Sequence, residues 1–101
     1  MSLILRIHTD AAEEAEAARN WYAARSLDAA RGFLVELENA LEQVVAQPLA
    51  WPKYLHRTRS YLLRRYPYLV VYRLQGEKIF VVAVAHASRE PGYWRKRRVD
   101  D

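Results

Sequence analysis

The chain has 101 residues, 51% of them hydrophobic and 28% charged, with no cysteine and a formal charge of +4. That much apolar material excludes a disordered segment, the absence of cysteine excludes disulfides, thiolate metal ligands and thiol nucleophiles, and no apolar run approaches the ~20 residues of a membrane span. One domain over residues 1–101 is expected, and with no basic-then-apolar leader at its N-terminus, a cytoplasmic location.

"LILRIH" alternates, with Leu3, Leu5 and Ile7 on one face and Ile4, Arg6 and His8 on the other, and reads as a first strand. "TDAAEEAEAARNWYAA" follows as a helix capped by Thr9 or Asp10, with Glu13 and Glu14 near the positive end of its dipole and Trp21 and Tyr22 near its end. A second helix runs from about Ser26 through Gln47, where Leu27, Ala30, Leu34, Leu37, Leu41 and Val44 recur at spacings of three and four, and Pro48 stops it. The short gap between the helices predicts an antiparallel pair, and Gly32 inside the second predicts a close helix contact. "PLAWPKYLHRTRS" has no sustained period and reads as a connection.

The pattern then becomes extended. "YLLRRYP", "YLVVYRL" and "KIFVVAVAH" are rich in β-branched and aromatic residues, and the last two flank "QGE", a hairpin turn in which Gly76 supplies a positive φ. Residues Ile79 to Ala85 are apolar at every position, as in a strand covered on both faces. The predicted fold is α+β in the order β-α-α-β-β-β: a helical hairpin on one face of a small, mainly antiparallel sheet, with the first strand reaching it by a crossover that permits parallel pairing.

Charge divides along the chain. Up to Pro52 four basic residues stand against eight acidic ones; from Lys53 onward twelve stand against four. A cationic second half attracts nucleic acid, acidic protein segments or anionic membrane, and charge alone does not choose among them. His8, His56 and His86 lack metal-site spacing, the three glycines form no phosphate loop, and Ser26, Ser60 and Ser88 lack a nucleophile elbow, so neither metal nor cofactor is expected.

The segment Arg64 to Arg97, "RRYPYLVVYRLQGEKIFVVAVAHASREPGYWRKR", resembles the C-terminal half of the RelE/ParE toxin superfamily, the toxins of bacterial toxin–antitoxin pairs often labelled plasmid stabilisation proteins. The resemblance rests on a basic residue before aromatic-Pro-Tyr, a hydrophobic hairpin, and His-x-x-Arg followed by Pro, Tyr-Trp and a basic end. It is tight over the last third and loose over nearly the whole chain. "HASREPGYW" is closer to ParE-like members, which implies a protein that binds DNA gyrase, traps it on DNA and is neutralised by a cognate antitoxin. RelE-like members imply the alternative, a ribosome-dependent mRNA endoribonuclease.

Metal-free RNA cleavage needs a base for the 2′-hydroxyl, charge for the phosphorane and an acid for the leaving oxygen. On the resemblance those tasks fall to Arg65 on the second strand, His86 at the end of the last strand and Tyr93, with Arg89 adding charge. The lysine or glutamate that many ribonucleases carry upstream lacks a counterpart, Lys53 being the only nearby lysine and placed in a loop. For partner binding the candidates are Arg64, Arg89, Trp94, Arg95, Lys96, Arg97 and Arg98. Structural readings stand beside these. His86 shares the parity of Phe80, Val82 and Val84 and is expected to pack under the C-terminal segment, Arg89 to tie that segment to the sheet, and Trp94 to anchor it. Arg64 and Arg65, on an extended segment, are expected to point in opposite directions.

Overall fold

The computed structural model describes residues 3–98. Strand β1 (Ile4–Ile7) leads into helices α1 (Thr9–Ala23) and α2 (Leu27–Ala46), followed by β2 (Lys53–Tyr54), a 3₁₀ turn at Leu55–Arg57, β3 (Thr58–Leu62), β4 (Tyr68–Gln75) and β5 (Lys78–His86). The five strands form one sheet in the order β1-β5-β4-β3-β2. β1 pairs in parallel with β5, and every other pair is antiparallel. The α+β arrangement with crossover and hairpin is the expected one. The two-residue β2 lies within the segment read as a connection, and the strand that "YLLRRYP" predicts is displaced toward the N-terminus.

Local chemistry sets the boundaries. Ser26 caps α2 by accepting from the Ala29 amide, while α1 is capped neither by Thr9 nor by Asp10: the His8 imidazole Nδ1 accepts from the Asp10 amide at 3.0 Å. An imidazole nitrogen with a free lone pair serves the same orphan donor that a hydroxyl or carboxylate usually serves. In α2 the buried residues are Ala30, Phe33, Leu37, Ala40 and Val44, whereas Leu27 and Leu34 lie in solvent. The aromatic Phe33 rotates the buried stripe away from the leucines, because its ring meets Tyr22 of α1 and Tyr66 and Tyr68 beyond β3. Gly32 likewise faces no helix. A Cβ there would clash with the Tyr66 hydroxyl, which donates to the Ala29 carbonyl at 2.7 Å.

The main core lies between the helices and the sheet, with Val44, Val70, Tyr72, Ile79 and Val81 fully buried. Each such aliphatic side chain contributes about 1.5–3 kcal/mol. Leu3, just before β1, and Leu5 on it pack against this core, but Ile7 stays exposed with Ile4, as befits the outer strand. The helix-free face of the sheet carries a second cluster of Val71, Val82, Ala83 and Ala85 closed by Trp94. β5 joins both by alternation, and its register slips midway: Val71 pairs with Ala83 and Tyr72 with Val81, leaving Val82 as an extra residue. A bulge of this kind reverses the alternation beyond it. His86 therefore shares the helix-side face with Val84, and not with Val82, whose ring of neighbours lies beneath Trp94.

Candidate functional site

Beyond Val81 the outer edge of β5 is bare of backbone partners, since β1 ends at Ile7 opposite Val81 and the His8 amide takes the Val81 carbonyl. Such strand-edge groups must find partners when they are half-buried. Two side chains supply them. Glu14 of α1 accepts from the Val84 amide at 3.0 Å, and Arg97 of the C-terminal turn donates to the Val82 carbonyl at 3.0 Å. Those two side chains also meet each other in a two-pronged pair, Arg97 Nη1 and Nη2 each 2.9 Å from one oxygen of Glu14. The Tyr93 hydroxyl donates to Glu14 Oε2 at 2.5 Å. Asp10 lies 3.6 Å from Arg97, and the Arg89 guanidinium stacks 3.7 Å from the centre of the Tyr93 ring.

Glu14 thus holds the last described turn against α1 and β5. Burial works against its charge, but the bonds from Arg97, Tyr93 and the Val84 amide outweigh it and hold its carboxyl below the ordinary range. Burial, then the bond to Glu14, pushes the Tyr93 phenol well above the ordinary tyrosine range. Arg97 is held more firmly protonated, first by its bond to Glu14.

Beside this lock opens a cleft of about 580 Å³ between α1 and the end of β5. Its walls are largely apolar and aromatic, with Trp21, Tyr22, Tyr68 and Tyr93 among the lining side chains together with His86 and Arg89. Trp21 is 52% exposed, a large hydrophobic surface for a small protein. The His86 ring packs edge-on against Tyr68, and its Nδ1 accepts from the Ser88 amide at 3.0 Å, which leaves Nε2 to carry the hydrogen.

Of the residues expected to cooperate in cleavage, His86 and Tyr93 line this one cleft. Arg65 does not. It lies with Arg64 in the bend after β3, not on a strand, so the extended geometry from which opposite directions are expected is absent there. Both backbone amides donate to the same Glu36 carboxylate oxygen, and Arg65 Nε reaches the other oxygen at 2.9 Å. Glu36 of α2 is held below its ordinary range by those bonds despite partial burial. Among the partner-binding candidates Trp94 is 1% exposed and packs near Tyr54 and His56, so its indole has no free face for a partner. Arg97 is likewise withdrawn into the lock, while Arg64, Arg89, Arg95, Lys96 and Arg98 are exposed. Glu14 and Glu36 are the residues that the sequence reading passes over.

The sequence matches the family described as ParE toxin of type II toxin-antitoxin system, parDE, over residues 5–91. The chain belongs to the ParE toxin family. Its fold is also that of a solved structure from a ParE-containing system, the "Chromosomal ParDE TA system from P. aeruginosa", with a TM-score of 0.63 and 19% sequence identity over 86% of this chain and 98% of that one. Among the curated proteins none matches. In this ParE family member the matched residues include α1, both faces of the cleft and the His86–Arg89 rim, and stop short of the Tyr93–Arg97 half of the lock. Among the described residues no group of three histidine or acidic side chains converges to hold a metal, and no helix is long and apolar enough to cross a membrane.

Proposed function

We propose that this protein is the toxin of a type II toxin–antitoxin pair, that it inhibits DNA gyrase by binding rather than by catalysis, and that a cognate antitoxin neutralises it. The observation that carries this reading is the match to the ParE family across residues 5–91. The geometry favours a binding role in two further respects. Arg65 is committed to Glu36, away from His86 and Tyr93, so the three groups that the resemblance assigns to RNA cleavage do not converge. A phenol whose proton is held by Glu14 and whose acidity is weakened further by burial is also a poor general acid at physiological pH.

The aromatic cleft suits the apolar side chains of an antitoxin segment, and the exposed Arg89, Arg95, Lys96 and Arg98 suit its carboxylates. Purified toxin incubated with gyrase and relaxed plasmid is expected to block supercoiling and accumulate cleaved DNA complexes. Intact supercoiling together with cut message in a translating extract would replace this reading with the ribonuclease.

A further inference from the structure

A further group of cations without acidic partners lies around the 3₁₀ turn and the C-terminal end of β4. A cleft of about 410 Å³ is lined by His56, Arg57, Arg73, Leu74 and Gln75, with no acidic side chain in its wall. A second, of about 310 Å³, shares Arg57 and Leu74 with it and adds Lys53. Among the described residues none of Lys53, Arg57 and Arg73 forms an ion pair with an acidic side chain, in contrast to Arg31, Arg65, Arg89 and Arg97, each held by a helix carboxylate. The backbone that presents this cluster is itself unusual: His56 and Arg57 both adopt positive φ, +56° and +63°. Consecutive non-glycine residues in that region carry strain, which persists where packing imposes it and gathers at binding sites. Packing does impose it here, since the His56 ring is wedged between Trp94 and Gly92.

We propose that this corner, built from Lys53, His56, Arg57 and Arg73, binds the phosphate backbone of duplex DNA. Unpaired cations around a polar cleft match a regular row of phosphates and gain from release of the counterions condensed on DNA. A single-stranded nucleic acid would call for several exposed rings on which successive bases stack, and the larger cleft offers one, His56, which is turned edge-on to Trp94. An amphipathic acidic peptide would call for apolar pockets, and Leu74 is the one aliphatic side chain in that wall. The site stands independently of gyrase and of the antitoxin.

The test is fluorescence anisotropy of a short labelled duplex with the full chain across a salt series starting at ~50 mM. The wild type binds, and R57Q/R73Q binds at least about tenfold more weakly at low salt, with the slope of log affinity against log salt reduced by about two. R57K/R73K restores both, which keeps the test decisive if the glutamine pair proves unstable, and R19Q/R31Q on the helices changes neither. No binding by the wild type, an unchanged slope in R57Q/R73Q, or tighter binding of single-stranded RNA or of an acidic peptide than of the duplex would overturn the site.

Discussion

Glu14 carries more of the site than any other side chain. Its carboxylate serves four donors drawn from β5 and the C-terminal turn, and its separation from Tyr93 and Arg97 is 79 and 83 residues. With side-chain exposures of 17% and 16%, the Glu14–Arg97 pair is shielded enough that removing one partner strands the other. Glu14→Gln is therefore expected to cost about 3 kcal/mol in chemical denaturation, and loss of under about 0.5 kcal/mol would show the lock to be ornamental. The pH dependence follows from the two shifts. Glu14 is lowered in the folded state, so its contribution is complete above the ordinary value of 4.5 and is lost as pH falls through the lower folded value. Tyr93 is raised, so its contribution is complete below the ordinary value of 10.0 and is lost as pH rises toward its higher folded value. A plateau in melting temperature between those limits is expected, with an acid limb that Glu14→Gln flattens. None of this was legible beforehand: sequence shows Glu14 as one acid among several in a helix's opening turns, and only the strand edge left bare by a short β1 gives it a task.

At the scale of elements, the sequence predicts what depends on neighbours along the chain and misses what depends on neighbours across it. The helices, the Gly76 hairpin and the doubly buried β5 are local or strictly periodic, and they form as expected. The side on which His86 lies was misread because a bulge inserts Val82, and Arg64 and Arg65 were misplaced because Glu36 captures their amides and ends β3 early. Gly32 offers a clean test of such a cross-element contact. Gly32→Ala improves helix propensity by about 1 kcal/mol but drives a methyl into the Tyr66 hydroxyl, so the single variant is expected to be destabilised. Tyr66→Phe removes the obstacle along with its bond to Ala29, at a cost of about 1 kcal/mol. In that background Gly32→Ala is expected to become stabilising. A double-mutant cycle that closes with zero coupling would show that the glycine is there for another reason.

Across the whole molecule the two charge signs occupy different layers. Eight acidic residues fall before Pro52, all on the helices, and twelve basic residues follow it on the strands, their connections and the C-terminal turn. The fold converts an asymmetry along the chain into one across the molecule, which the sequence allowed us to expect. It could not show that Arg97 is drawn into the lock and that Arg65 is engaged by Glu36 at the surface, leaving Arg89, Arg95, Lys96 and Arg98 as the exposed C-terminal cations. Charge reversal at Arg95 and Lys96 is accordingly expected to weaken antitoxin binding at low salt and to matter less as salt rises, in a titration of toxin with its antitoxin; equal affinities at all salt concentrations would remove those residues from the interface. The claim that the protein acts by binding gyrase meets its most direct test in cells expressing the wild type or R65Q/H86Q, with plasmid topology and message integrity followed together. We predict that both proteins arrest growth with relaxed plasmid and trapped cleavage complexes while messages stay whole. Cut messages under normal supercoiling, abolished by the double substitution, would contradict the account.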